Sequence, residues 1–265
     1  MRAGLWTKWI ASTATVLALA GCNLNEKTLT VAASPVPHAE ILEAARPALE
    51  KQGIRLKIVE VDDYNLPNRL LYEKQVDANF FQHKPYLEEQ NRRFGYKIQP
   101  LVAVHIEPLG LYSERLTSLE DLKEGATIAL PSDPTNEARS LAFLQDLGII
   151  KLKTDGDNSL ATVYDIVENP KNLKIEEIDA AFLPRTLRDV DAAIIPANYV
   201  LQANLNPVKD ALALESIDSP YANIIAIREG DENRDDLQKL KQALTSEEMR
   251  QFIIKKYQGA IIPAF

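Results

Sequence analysis

From Thr28 onward, short β-branched runs alternate with amphipathic helical stretches, and this alternation restricts the chain to β-α-β units and a largely parallel sheet. Residues 28–33 read as a strand. Residues 35–53 read as a helix burying Ile41, Leu42, Ala45 and Leu49 and stopped at Gly53, and 55–61 as the next strand. A helix over 66–75, a strand at 78–81, a helix at 85–94 and a strand at 101–105 complete one α/β lobe by Glu107. The chain then changes bodies around 105–112. A second series follows, with strands at 127–130, 173–178 and 192–195 and helices at 134–146, 160–167 and 183–190. A second crossing at 219–221 leads to a strand at 224–228 and two closing helices, 234–244 and 246–257, that return to the first lobe. The expected bodies are lobe 1 at 28–107 and 224–265 and lobe 2 at 108–223, two crossovers making a hinged cleft.

The segment before Thr28 is of another kind. Arg2 and Lys8 precede an apolar run from Ile10 to Ala20 that closes on Leu19-Ala20-Gly21-Cys22. That is a signal peptide ending in a lipobox, with residues 1–21 removed and Cys22 carrying the lipid. The run falls short of the roughly 20 apolar residues that span a bilayer as a helix, so it reads as an export signal. Residues 22–27 form the lipidated tether, and the body faces the periplasm or the cell exterior from a cell membrane. Cys22 is the only cysteine, so the body makes no internal disulfide and depends on packing. Loss of the leader takes the formal charge from −8 to −10. No basic cluster offers a polyphosphate footprint, which argues against nucleic acid as a partner.

The enzyme signatures of a Gly-x-Ser-x-Gly elbow, a Gly-x-Gly-x-x-Gly turn and a phosphate loop are all missing, and no nucleophile, base and orienting acid assemble, so the chain reads as a binding protein. The three histidines, His38, His83 and His105, have no spacing that favours a shared metal site, and no cofactor is expected. Four segments carry chemistry. Residues 77–86, Asp-Ala-Asn-Phe-Phe-Gln-His-Lys-Pro-Tyr, place Phe81, His83 and Tyr86 in one strand-to-helix turn, where open α/β sheets present ligand crevices. Such rings suit an apolar, polarizable side chain, with sulfur contacts of roughly 0.3–1.5 kcal/mol. The competing reading puts Phe81 in the lobe's core, because Phe80 and Phe81 point to opposite faces of a strand. In residues 131–139, Asp133 reads as N-cap and Pro134 as first helical residue, leaving the N–H groups of Thr135 and Asn136 toward an anion. Arg139, one turn on, offers a planar fork for a carboxylate; pairing with Glu137 or Asp133 is the alternative. Asn198 and Asn223, each beside a strand end, offer donor and acceptor to a small zwitterion.

These segments resemble the MetQ/NlpA family of lipoproteins over nearly the whole mature chain. The most specific stretches are residues 77–86, 132–136, 167–174, Leu183-Pro-Arg185 and 219–223. The resemblance implies a type II periplasmic-binding-protein-like fold, two α/β lobes with a hinged ligand cleft, and methionine held between them. It also implies delivery to an ABC permease driven by a cytoplasmic ATPase. Carried over by position, Tyr64, Phe81, His83 and Tyr86 correspond to the side-chain pocket, Arg139 to the carboxylate clamp and Asn223 to a second polar anchor. One departure stands out: many members have Asn three residues before the tyrosine at position 199, where this chain has Pro196. Some relatives keep an Asn immediately before that tyrosine, as Asn198 is here. L-methionine, D-methionine, another apolar amino acid and a methionine-containing dipeptide all stay open as ligands. A metal-delivery role would require the three histidines to converge, and a surface adhesion role would require no cleft ligand.

Overall fold

The computed structural model describes residues 27–153, 158–216 and 220–265. The leader, Cys22 and Ser219 lie outside these. In chain order the elements are β1 (Lys27–Ala33), α1 (Glu40–Glu50), β2 (Ile54–Glu60), α2 (Leu66–Tyr72), β3 (Ala78–His83), α3 (Lys84–Phe94) and β4 (Ile98–Ile106). Then come β5 (Gly110–Tyr112), β6 (Thr127–Pro131), α4 (Pro134–Asp146), β7 (Lys151–Leu152), β8 (Ile166–Glu168), β9 (Lys174–Ile178), α5 (Leu183–Thr186) and β10 (Ala192–Ile195). The remainder is α6 (Ala197–Gln202), β11 (Ala211–Leu214), β12 (Ala222–Arg228), α7 (Asp235–Leu244), α8 (Glu247–Tyr257) and β13 (Ile262–Pro263).

Two sheets organise the molecule. One runs β13-β4-β12-β3-β1-β2 and the other β11-β5-β10-β6-β9. In the first sheet the period of two along each strand sends alternate side chains to opposite faces. Leu29, Val31, Phe80 and Ile225 therefore join Leu42, Leu49, Leu240 and Ile253 of α1, α7 and α8. Ala32, Ile224 and Ala226 meet Leu71 and Leu87 of α2 and α3 on the other face. The second sheet divides the same way, with Ile128, Leu130 and Ile194 against Leu141 and Leu144 of α4. Its other face sets Ala129, Ala193 and Ile195 against Leu183 and Val200 of α5 and α6. Each fully buried side chain of this size contributes about 1.5–3 kcal/mol relative to exposure, so neither sheet needs a disulfide.

The sheets are mixed, a correction to the largely parallel expectation. Pairs β1/β2, β1/β3, β6/β9 and β6/β10 are parallel. The returning strand β12, however, lies antiparallel between β3 and β4, and β5 lies antiparallel between β10 and β11. Two expected helices also differ. Across 160–167 there is a single tight turn at Val163–Asp165 leading into β8, because the Asp165 carboxylate accepts from Thr162 N at 2.8 Å and Thr162 Oγ1 at 3.0 Å. Tyr164 there is 87% exposed, and the residues that do pack inward, Ala161 and Ile166, are five apart and off a common helical face. The helix expected over 183–190 ends at Thr186. Helix α3 runs to Phe94 and stops on Gly95 in the left-handed conformation at φ 68°, which glycine adopts without strain.

Candidate functional site

Both ends of the crossings meet at one small, tightly closed cavity. Its walls come from both sheets' flanks. Tyr64, Phe81, His83 and Tyr86 stand on one side, Asn136, Arg139, Pro196 and Ala197 on the other, and Glu107 and Asn223 at the crossings.

The aromatic wall follows from β3 running two residues further than expected, to His83. Phe80 turns into the core with no exposure, whereas Phe81, one residue on, faces the cavity. The Tyr64 ring packs at 5.9 Å from both Phe81 and Tyr86 and at 5.2 Å from Tyr199. Tyr86 Oη donates to the backbone carbonyl of Tyr64 at 2.9 Å, which fixes the loop before α2. Beneath the wall lies a buried amide cluster. Asn68 Nδ2 donates to Gln82 Oε1 at 2.9 Å, and Asn79 Nδ2 and Gln82 Nε2 both donate to Asn68 Oδ1, at 2.8 and 2.7 Å.

His83 caps α3. Its Nδ1 accepts from Tyr86 N at 3.1 Å, so the ring proton sits on Nε2 and is donated to Asn136 Oδ1 at 3.1 Å. Burial, helped by the nearby Arg139 charge, holds His83 down to about 3 and therefore neutral. Asn136 Nδ2 in turn donates to both Asp133 oxygens, at 3.1 and 3.0 Å. The Asn136 N–H expected to face an anion donates instead to Asp133 Oδ1 at 3.0 Å, because the N-cap carboxylate satisfies it first. Asn136 thus links the two sides of the cavity through its side chain.

Arg139 is 4% exposed and pairs with neither Glu137 nor Asp133. Its Nε and Nη2 donate to Glu215, at 3.0 and 2.5 Å, and Nη2 also donates to the backbone carbonyl of Glu107 at 2.8 Å. Its guanidinium lies 4.3 Å from the Tyr221 ring centre. Nη1 donates to no described residue, and Arg139 lines the cavity, so Nη1 is the edge of the guanidinium not engaged by the described residues.

Asn198 stands beside the cavity. Its Oδ1 accepts from Tyr64 Oη at 2.7 Å across the two sides, its backbone N–H donates to Glu107 Oε2 at 3.1 Å, and its buried Nδ2 has no partner among the described residues. Asn223 Oδ1 lies 2.9 Å from His38 Nε2. The histidines do not converge as a set of three. His83 stands with Asn136, while His38 and His105 meet at Glu107, where the three groups have ligand atoms within 4.8 Å of one another.

Sequence reasoning missed Glu107 and Glu215. For Glu107 a signal existed, since His105 and Glu107 are two apart and share a face of an extended chain. For Glu215 none did: its place depends on β11 pairing with β5, which brings Glu215 N to Leu109 O at 2.8 Å.

A mixed two-sheet body with its ligand cavity at paired crossings is a two-lobed solute-binding protein of the periplasmic-binding type II kind. The chain belongs to the NlpA lipoprotein family, whose model matches residues 29–265. It is 42% identical over 247 residues to the methionine-binding lipoprotein MetQ of Bacillus subtilis, covering 92% of this chain and 90% of that one. It is 40% identical over 252 residues to the D-methionine-binding lipoprotein MetQ of Escherichia coli, covering 93% of each. Among solved structures, a nutrient-binding protein from Burkholderia cenocepacia bound to methionine is similar at TM-score 0.87 and 47% identity, covering 89% of this chain and 100% of that chain. No helix of the described residues is long and apolar enough to cross a membrane.

Proposed function

We propose that this chain is the lipid-anchored substrate-binding protein of an ABC importer and that it holds methionine, L or D, in the cavity between the lobes. The observation that carries this reading is the polarity of the cavity: an aromatic wall of Tyr64, Phe81, His83 and Tyr86 faces a buried arginine edge. The thioether chain lies against the rings, where area burial and sulfur contacts hold it. The carboxylate takes Arg139 Nη1. Relatives named for methionine binding support the choice of ligand. Pro196 and Ala197 line the cavity with no side-chain amide, so the polar contacts on that side fall to Asn136, Asn223 and the crossing residues.

Lobes 28–107 with 224–265, and 108–223, close about the ligand. Closure makes the Tyr64–Asn198 and His83–Asn136 hydrogen bonds, which join the lobes. A ligand shifts such an equilibrium only through its differential affinity for the closed state, and contacts from both lobes provide it. The closed form is the shape that the permease and its ATPase accept. Cleavage after residue 21 and acylation of Cys22 tether the body at the outer face of the cell membrane, toward the periplasm or exterior. The chain works by binding and release, without catalysis. Titration calorimetry with L-methionine, D-methionine and a panel of apolar amino acids and methionine dipeptides tests this reading. One site saturated by methionine is expected; heat from none of the panel overturns it.

A further inference from the structure

The buried group that the clamp and the aromatic wall leave unused is Glu107, 5% exposed at the first crossing, and its surroundings define its protonation. His38 Nε2 lies 2.9 Å from Asn223 Oδ1 and 3.3 Å from Glu107 Oε1. Both neighbours are acceptors, so that nitrogen carries a proton. His105 Nε2 lies 2.7 Å from the same Oε1. The Nδ1 of each ring is buried without a partner among the described residues. A proton there would be a buried donor with no acceptor, which is strongly disfavoured. Burial also holds His38 to about 4 and His105 to about 3. Each ring is therefore neutral, with its single proton on Nε2.

The His105 N–H, at 2.7 Å from Oε1, and the Asn198 backbone N–H, at 3.1 Å from Oε2, donate to Glu107, while the single His38 N–H goes to Asn223 with Glu107 Oε1 3.3 Å away. Burial pushes this carboxyl up and the nearby Arg139 charge and Asn198 N–H oppose it; two N–H donors and no hydrogen-bond acceptor face its oxygens, an arrangement that suits the anion. An ionised carboxylate has about four lone-pair sites, of which two are taken, and Glu107 lines the cavity. Arg139 is balanced by Glu215, so among the described residues that line the cavity Glu107 is the acid without a cationic partner of its own. Arg139 Nη2 donates to the Glu107 carbonyl at 2.8 Å, which puts the guanidinium beside this carboxylate. A group carrying a cation one carbon away from an anion fits that pair.

We infer that Glu107 is the counter-ion of the ligand's α-ammonium, kept ionised by the His105 and Asn198 N–H donors, and that it restricts the cleft to ligands with a free α-amine. The same residues have donor atoms suited to a metal, but a ligating histidine normally donates its other ring N–H to a partner, and neither ring here has one. This inference rests on the proposed methionine reading.

The test titrates the full lipidated chain in detergent with L-methionine, its desamino analogue 4-(methylthio)butanoate, and N-acetyl-L-methionine. Methionine is expected to bind roughly 10³-fold or more tightly than either analogue, since a site built around a polar group rejects ligands lacking it. In Glu107→Gln the methionine affinity falls and the ratio to the desamino analogue collapses toward one. A purely structural role would lower both affinities together and leave the ratio unchanged. If Glu107→Gln fails to fold, the analogue series on the unaltered chain decides. Desamino analogue binding within about tenfold of methionine overturns the Glu107 assignment alone, whereas absence of methionine binding defeats the methionine reading itself. Stoichiometric metal that disappears in His38→Ala would also overturn the assignment.

Discussion

Removing one hydroxyl, in Tyr64→Phe, separates what closure contributes from what folding contributes. Tyr64 Oη donates to Asn198 Oδ1 at 2.7 Å across the cleft, and Asn198 Nδ2 is already buried without a partner among the described residues. The variant keeps the ring, and with it the contacts at 5.9 Å to Phe81 and Tyr86, but leaves the Asn198 amide with neither end paired. A buried polar group stripped of its partner costs about 1–3 kcal/mol. On the proposed closure the bond joins the lobes only when the cleft is shut, so that cost falls on the ligand-bound state, and Kd should rise by about 5–150-fold. The empty protein should melt within about 1 °C of the parent, since a change of 1 kcal/mol in the empty fold would move Tm by about 2–4 °C at this size. Calorimetric titration gives Kd and differential scanning calorimetry gives Tm. An unchanged Kd, or a fall of several degrees in the empty protein's Tm, refutes the reasoning, because the bond would then belong to the resting fold.

Phe81→Ala should weaken methionine binding by about tenfold to a few hundredfold while costing the empty fold less than the roughly 3–5 kcal/mol typical of a packed core phenylalanine; equal losses would return Phe81 to the core. Arg139→Lys keeps the charge but cannot hold Glu215 in two bonds and also reach Glu107 O, so methionine affinity should fall about 100-fold by titration, and parent-like binding removes the clamp. His38, His83 and His105 are held at about 4, 3 and 3 against an ordinary 6.5. The unfolded chain therefore binds more protons as pH falls, and their stabilisation is whole above pH 6.5 and lost toward pH 4. Glu137, raised to about 7 by burial and Glu177, acts oppositely, its contribution present at low pH and lost as pH rises through 7. Glu107 and Asp133, also raised by burial, act in the same sense as Glu137, so it is the three histidines that should make Tm lower at pH 4.5 than at pH 7, and a Tm no lower at pH 4.5 contradicts the buried neutral tautomers. Cys22→Ser should leave the protein unlabelled by radioactive palmitate and released from membranes, whereas persistent labelling excludes Cys22 as the attachment point.

Much of the architecture was legible because it rests on local signals. Asp133 and Pro134 announced α4 at its true start, and the alternation at 192–195 marked β10. Phe80 and Phe81 separated onto core and cavity as the strand period requires. What escaped depends on pairing between distant segments. The antiparallel insertion of β12 between β3 and β4 is fixed by neighbours more than 100 residues away, and no local pattern encodes it. Short strands such as β5 and β11 carry too few residues to show a period. The site divided along the same line: side chains on one motif, such as His83 and Tyr86, were visible, while the Arg139–Glu215 and Tyr64–Asn198 partnerships exist only after folding. Asn136 was expected to offer its backbone to an anion, and the Asp133 cap took that donor because it is the nearer acceptor.

The most direct test of the central claim is native mass spectrometry of the body lacking residues 1–22, unfolded and refolded to strip any bound ligand, then exposed to one equivalent of L-methionine. A single adduct with the mass of one methionine, lost on renewed unfolding and weakened in Arg139→Lys, is the predicted result. A folded body that takes up neither L- nor D-methionine would contradict the account.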